Sequence, residues 1–375
     1  MKMKWAFWLA ASVVGYSYLG YPLWLWLRSR WSPRPVRRSS DEPSVSVVMV
    51  ARNEEAVLAR KLGNLLTLDY PPEKLDVVVV SDGSSDGTAA ILSEFARNPR
   101  VRAVVKAVSQ GKAAGLNDAI PVARGEVLLF TDARQEIEPA ALRFLIENFA
   151  DAEVGAASGE LMLGEPGSGE TGKGMGLYWR IEKKIRELES ASGSVAGATG
   201  AIYCARRSLL DPLPEGTILD DVLLPMQVVR KGARVIFDSR ARAWDVPDLG
   251  GSREFSRKVR TLSGNYQLLQ LAPWLLSSEN GIRFEFVSHK LSRLVVPFAL
   301  LALLVASLSL PEPLYRVALV AQLAFYALSL LALGGVKIGP LSRIADPART
   351  FVVLNSAALV AFVNFITGRK AVWVR

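Results

Sequence analysis

Carboxylates gathered just behind short apolar runs are the residues of this chain best equipped for chemistry. Asn53, Glu54 and Glu55 follow the run 45–50, Asp82 follows 77–80, and Asp132 follows 127–130. An aspartate pair, Asp220–Asp221, comes later. Acids cannot hold a phosphate directly, because like charges repel. They suit the hydroxyl groups of a sugar or ribose, or a divalent cation that in turn holds phosphates. Such a set points towards nucleotide-sugar chemistry.

The elements that must position these acids are legible around them. The runs VSVVMV, VVVV and VLLF are short and rich in β-branched residues, and they alternate with helical segments. They read as parallel strands of an α/β sheet buried on both faces. Sheets of that kind bind ligands at the carboxyl ends of their strands, which is where the acids fall. Helices are expected over 54–66, 86–96, 112–120 and 139–149, with Asp86 as an N-cap and Pro139 in a first turn. A further helix is expected over 174–189, where Leu177, Ile181, Ile185 and Leu188 recur on one face. The stretch 252–271 mixes Arg253, Arg257, Lys258 and Arg260 with Phe255, Leu262, Leu268 and Leu269, a pattern suited to a lipid surface.

Half of the 375 residues are hydrophobic and the mean hydropathy is +0.22, yet 22% are charged. That combination predicts a polar domain joined to membrane segments. Four apolar stretches fit: 5–27, 294–310, 317–336 and 351–368. A spanning helix takes roughly 17–25 residues, so the first and third are comfortable and the others near the lower limit. Stretch 5–27 is too long for the core of a signal peptide and lacks a small-residue cleavage site, so it reads as a retained anchor. The division expected is an anchor over 1–27, a basic linker over 28–43, a catalytic α/β domain over 44–250, an amphipathic region over 251–290 and membrane segments over 291–375.

Arg28, Arg30, Arg34, Arg37 and Arg38 follow the first apolar stretch at once, which places the catalytic domain on the cytoplasmic side of a multi-pass cell-membrane protein. Anionic membrane lipids are the expected partners of that cluster. It accounts for much of the net charge of +9, and no nucleic-acid-binding signature is visible. The lone Cys204 excludes an intramolecular disulfide, and the lone His289 excludes a histidine-rich metal site or a Ser-His-Asp triad. The scarcity of ionisable residues in the apolar stretches argues against a transporter.

Taken in order, VSVVMVARNEE, VVVVSDGSSDGT, QGKAAGLNDAI, VLLFTDAR, GATGAIYCARRSLL and ILDDVLLPMQVVRKGARVIFDSRARAWD resemble the membrane-bound inverting glycosyltransferases of family 2, relatives of polysaccharide synthases. The resemblance implies a GT-A fold, a nucleotide-sugar donor (UDP-linked), a glycan or lipid-linked acceptor, and a divalent cation, Mg²⁺ or Mn²⁺. It implies that Asp82 meets the uracil or ribose, that Asn53, Glu55 and Lys112 lie on the donor side, and that Asp132 holds the metal. The family's second metal acid is here Arg134. Asp221 takes the place of the catalytic base, with Asp220 and Gly200 on the acceptor side. Arg260 alone fits the QxxRW position of processive synthases, whose Gln and Trp are missing.

Plainer roles stand beside these. DGSSDG is rich in turn formers, and Asp220 and Asp221 suit the cap of a helix over 222–230. The segment Gly167–Lys173 resembles a nucleotide-binding loop, but Gly174 replaces its hydroxyl residue and it reads as a glycine-rich loop. Three readings follow: a glycosyltransferase, a processive polysaccharide synthase, or a non-catalytic sugar-binding membrane subunit.

Overall fold

A computed structural model describes residues 1–164, 177–246, 251–334 and 342–369. The loop at 167–173 and the basic residues Lys337, Lys370 and Arg375 lie outside them.

Eight strands form one sheet: β1 (Val45–Ala51), β2 (Leu75–Asp82), β3 (Val101–Lys106), β4 (Val127–Phe130), β5 (Glu136–Ile137), β6 (Val154–Leu163), β7 (Tyr203–Arg206) and β8 (Arg234–Asp245). Their order is β3-β2-β1-β4-β7-β6-β8-β5. The first four run parallel, β7 turns antiparallel to both β4 and β6, and β6 and β8 are parallel again. The thirteen α-helices among the described residues are α1 (Lys2–Gly15), α2 (Tyr21–Trp31), α3 (Glu55–Leu66), α4 (Thr88–Phe95), α5 (Lys112–Val122), α6 (Ala141–Ile146), α7 (Leu177–Ser192), α8 (Asp220–Arg230), α9 (Gly251–Leu271), α10 (Arg283–Phe286), α11 (Ser292–Ser309), α12 (Pro313–Leu333) and α13 (Ser342–Ile366).

The continuous apolar runs do what two-sided burial requires. On β1, Val47 and Met49 enter one core layer with Leu58, Leu62 and Leu65 of α3, while Val48 enters the opposite layer with Leu116 of α5 and Leu223 of α8. β7 begins only at Tyr203, because the Ile202 N–H first closes a turn on the Thr199 carbonyl at 3.2 Å. Asp86 is not the cap of α4: Gly87 is, and the Asp86 carboxylate instead accepts from the Thr88 backbone at 3.0 Å. Asp220 and Asp221 are likewise not caps, since α8 begins at Asp220 itself and Leu219 caps it without a side-chain bond.

Among the described residues, three helices are long and apolar enough to cross a membrane: Arg283–Ser309, Pro313–Leu333 and Ile344–Ile366. The N-terminal stretch, expected as a fourth, is helical through a π turn at Tyr16–Gly20 but is not among them. Its Trp, Tyr and Gly residues hold its hydropathy down. It lies along α11, with Phe7 against Ala306 and Tyr315, and Lys4 paired with Glu312 at 2.5 Å. The arginines behind it are partly spent within the protein. Arg28 pairs with Glu285, Arg34 with Glu153 at 2.8 Å, and Arg38 with Asn148 at 2.9 Å. Helix α9, expected at a lipid surface, packs against α13 through Tyr266, which stacks on Phe365 at 5.3 Å.

Candidate functional site

Two loops at the carboxyl ends of β1 and β2 are laced together. Asn53 adopts φ 55°, a left-handed conformation that asparagine tolerates better than most residues. Its Oδ1 accepts from the Ser85 N–H at 2.8 Å, and its own N–H donates to Ser84 Oγ at 3.2 Å. The Glu54 N–H donates to Thr88 Oγ1, and Glu55 Oε2 accepts from the Gly87 N–H at 2.6 Å. The lacing occupies Asn53 Oδ1 and Glu55 Oε2, two atoms expected on the donor side.

Asp82 ends β2, 2% exposed. Its carboxylate accepts from Ser109 Oγ at 2.7 Å and from the N–H groups of Gln110 and Gly111 at 2.8 Å each. Burial alone would raise its pKa; these hydrogen bonds outweigh that and hold it below the usual carboxylate value. Gly83 makes the approach possible. At φ +60° its absent Cβ would lie 2.2 Å from the Ser109 nitrogen.

Past β4 and at the start of α8 the charges converge. Lys112 opens α5 and places its ammonium 2.8 Å from Asp132 Oδ1 and 3.0 Å from Asp220 Oδ2. Burial lowers the pKa of this ammonium, but the two carboxylates outweigh it and the net shift is upward. Asp220 therefore faces the cation of the expected donor side. Asp132 keeps 42% of its side chain exposed. A Cβ built on Gly200 would sit 3.4 Å from Asp132 Oδ2 and 3.5 Å from Asp221 Oδ2, so these two carboxylates border the space over that glycine. Asp221 is fixed on this side, with Oδ2 accepting from the Gly200 N–H at 3.1 Å and its carbonyl accepting from Ala198 at 2.7 Å. Burial, and then the neighbouring charge of Asp220, push its carboxyl up to about 6. Arg134 points elsewhere, to Glu54 at 3.8 Å. Arg260 sits one turn before Gly264 on α9; Gly264 packs against Leu219, and Gln267 holds the Ile218 N–H at 2.9 Å, bracing the approach to α8.

Among the described residues no three Asp, Glu, His or Cys side chains converge to make a cation site by themselves. Asp132 remains usable as a single ligand, because Lys112 takes Oδ1 while Oδ2 faces the open side above Gly200.

Two buried residues at this site carry no motif. Lys61, 2% exposed, donates to Thr131 Oγ1 at 2.8 Å and to the Gln135 carbonyl at 2.7 Å, with burial lowering its pKa to about 7. Its signal was a lysine within the apolar stripe Leu58, Leu62, Leu65 of α3. Tyr203 is fully buried and stacked on Phe130 at 4.7 Å. Nothing in the sequence distinguishes it from a core aromatic.

A second polar cluster lies where the sheet domain meets the apolar helices. His289, 2% exposed, has Nδ1 at 2.8 Å from Glu189 and Nε2 at 2.9 Å from Glu182. Arg293 donates to Glu182 at 2.6 Å, and the Tyr21 hydroxyl to Glu189 at 2.6 Å. The apolar helix beginning at Arg283 thus carries buried ionisable groups in its first turns, which the stretch 294–310 did not include.

Residues 46–213 match Glycosyl transferase family 2. The beta-monoglucosyldiacylglycerol synthase of Trichormus variabilis is 29% identical over 192 residues, 50% of this chain and 41% of that protein. The poly-beta-1,6-N-acetyl-D-glucosamine synthase of Staphylococcus epidermidis is 27% identical over 236 residues, 61% of this chain and 56% of that one. The chain thus spans about half the length of the curated relatives it matches. A mannosyltransferase from Pyrobaculum calidifontis, solved with GDP-Man and Mn²⁺, superposes with a TM-score of 0.70 at 22% identity, covering 97% of this chain and all of that one, which supports a shared fold. Asp82 at the end of β2, Asp132 behind β4 and the turn bearing Gly200 therefore all fall within the segment that matches the family 2 glycosyltransferase model, in a sheet with a GT-A-like fold.

Proposed function

We propose that this chain is a membrane-anchored inverting glycosyltransferase, moving a sugar from a nucleoside diphosphate donor to a glycan or lipid-linked acceptor. The observation that carries the reading is the convergence of Asp132 and Asp221 over Gly200, with Lys112 paired to Asp132 and the Asp221 carboxyl raised in pKa. The nucleoside lies over the laced loops and Asp82, and the diphosphate lies against Lys112. The acceptor oxygen attacks the anomeric carbon as the bond from that carbon to the diphosphate oxygen breaks. Asp221 takes the acceptor's proton, the nucleoside diphosphate leaves with the electron pair, and the configuration inverts. A raised pKa suits a base that works near neutrality.

A divalent cation fits as a companion of the donor rather than a resident of a protein cage. Asp132 would give one oxygen, with the diphosphate and water completing the shell. When bound, it would neutralise charge building on the leaving diphosphate.

The N-terminal helix serves as the anchor. Trp5 and Trp26, both exposed, are about 31 Å apart along it at 1.5 Å per residue, close to the thickness of a bilayer core, and tryptophan favours both interfaces. The catalytic domain then lies on the cytoplasmic side with Arg28 and Arg30. A processive synthase is the second reading, favoured by the Staphylococcus relative; a ladder of products from one priming event would support it.

The test is nucleoside diphosphate release from a panel of UDP- and GDP-sugars with and without Mn²⁺, using purified protein and Asp221→Asn. The GDP arm is warranted because the Pyrobaculum mannosyltransferase holds GDP-Man. Turnover of one donor, lost in the variant while nucleotide binding stays, is expected. Absence of binding to every donor would favour a non-catalytic subunit.

A further inference from the structure

The glycosyl-transfer reading gives no work to Lys61, yet its placement is costly. It stands in the apolar stripe of α3 with Leu58, Leu62 and Leu65, where an apolar residue of the same length would pack without an amine to bury. Its hydrogen-bond partners among the described residues are both neutral, Thr131 Oγ1 at 2.8 Å and the Gln135 carbonyl at 2.7 Å. The charges that face it are Asp132 and Glu136, which attract the ammonium, and Arg60, which repels it. An amine kept here against the cost of burial must do something that an apolar side chain cannot.

What it does is join separate segments of the site. Thr131 and Gln135 bracket Asp132, so Lys61 holds both ends of the loop that presents this carboxylate. The Thr131 hydroxyl passes the connection on by donating to the Ala201 carbonyl at 2.8 Å. Ala201 follows Gly200, whose N–H holds Asp221. One turn further along α3, Asn64 exchanges two hydrogen bonds with the Ile137 backbone, at 2.8 and 2.9 Å. A path of hydrogen bonds thus runs from Lys61 through Thr131 to Ala201, linking the segments that carry Asp132 and Asp221's backbone partner. We propose that Lys61 is a positioning residue: from α3 it fixes the loop bearing Asp132 to the turn bearing Gly200, and so sets the spacing between Asp132 and Asp221. The tie does not depend on charge. Burial lowers the pKa of Lys61 to about 7, and a neutral amine still offers two N–H donors, one for each acceptor. The catalytic part of this inference rests on the glycosyl-transfer reading; the tie between the segments does not.

The experiment treats the two parts separately. Lys61→Met keeps the length of the side chain and suits the stripe of α3. Thr131→Val removes the connecting hydroxyl from the other end, and it carries the same test should Lys61→Met fail to fold. Amide hydrogen exchange of the full chain in detergent is expected to quicken in residues 131–137 and 199–202 together, while α3 and β1 stay protected. Unchanged exchange in either segment overturns the tie. Faster exchange throughout α3 and β1 makes Lys61 a core residue only, and overturns it equally.

With the donor that turns over, kcat for transfer in Lys61→Met is expected to fall about 10–10²-fold, the cost of a small misplacement of reacting groups. KM for the donor should stay within about twofold, because Asp82 and Lys112 are untouched. Thr131→Ser, which keeps the hydroxyl, should recover most of the rate lost in Thr131→Val. Since both residues act through one path, Lys61→Met/Thr131→Val should be no slower than the slower single variant. Losses that multiply, or a raised KM with kcat unchanged, overturn the positioning role. No turnover of any donor by the parent, with exchange altered as expected, sinks the transferase reading and leaves the tie standing.

Discussion

Asp221, half-buried, and Glu182, buried, are carboxylates of one chain whose surroundings push them in opposite directions. Burial raises both. At Asp221 a second acid, Asp220, adds to the push, and Lys112 lowers it only in part. At Glu182 Arg293 and His289 outweigh burial, and the carboxyl is held well below its ordinary value. The difference separates a group left able to take a proton from one whose charge is fully matched. Burial is therefore no sign of function here; what matters is whether the partners complete the neutralisation.

The sharpest way to break that comparison is to remove each acid. Asp221→Asn keeps the shape and loses the base, so transfer should fall about 10²–10⁴-fold, the usual worth of general base catalysis, with nucleotide binding intact by calorimetry. Glu182→Ala should act in the opposite manner. It leaves His289 and Arg293 buried beside an empty place, and breaking such a pair costs about 3–5 kcal/mol, read as a lower unfolding midpoint in detergent. If Glu182→Ala unfolds like the parent while Asp221→Asn unfolds early, the assignment of roles is reversed.

Subtler changes sharpen it. The base form of Asp221 fills as pH rises, so kcat/KM should climb through about pH 6 and level above it. Lys112→Ala removes a cation that favours the charged carboxylate. The same limb should move to higher pH, with a weaker apparent affinity for the donor. Gly200→Ala is the mildest change: its Cβ meets Asp132 and Asp221 only at 3.4–3.5 Å. Stability should change by no more than about 0.5 kcal/mol, while the methyl group narrows the space over the site and lowers acceptor use a few-fold in kcat/KM.

The parts legible in the sequence are those where chemistry and pattern coincide. The runs ending at Val50, Val80 and Phe130 announce buried strands because two-sided burial favours apolar, β-branched residues, with the hydrogen-bonded Ser46 the one polar residue among them, and acids close behind them mark the ligand edge. Lys61 was not legible, because a lysine on an apolar stripe is ordinarily a surface residue whose stem is covered. Nor was the tie between His289 and two glutamates, since its partners stand 100 and 107 residues away in sequence. The N-terminal helix shows a related limit: its Trp and Tyr residues suit interfaces yet count against a span by hydropathy. The pairing of Lys112 with Asp220 was hidden because it joins the first residue of α5 to the first residue of α8, far later in the chain.

The lacing of Asn53, Glu54 and Glu55 to residues 84–88 has a consequence for how this protein can change. Each of the three residues bonds to the other loop, through backbone, side chain or both. Neither loop can be grafted from a relative alone without leaving the other's donors and acceptors unmatched. Donor preference should therefore be inherited as a block spanning both loops, and chimeras cut between residues 55 and 84 should fold poorly even where each half comes from a working enzyme.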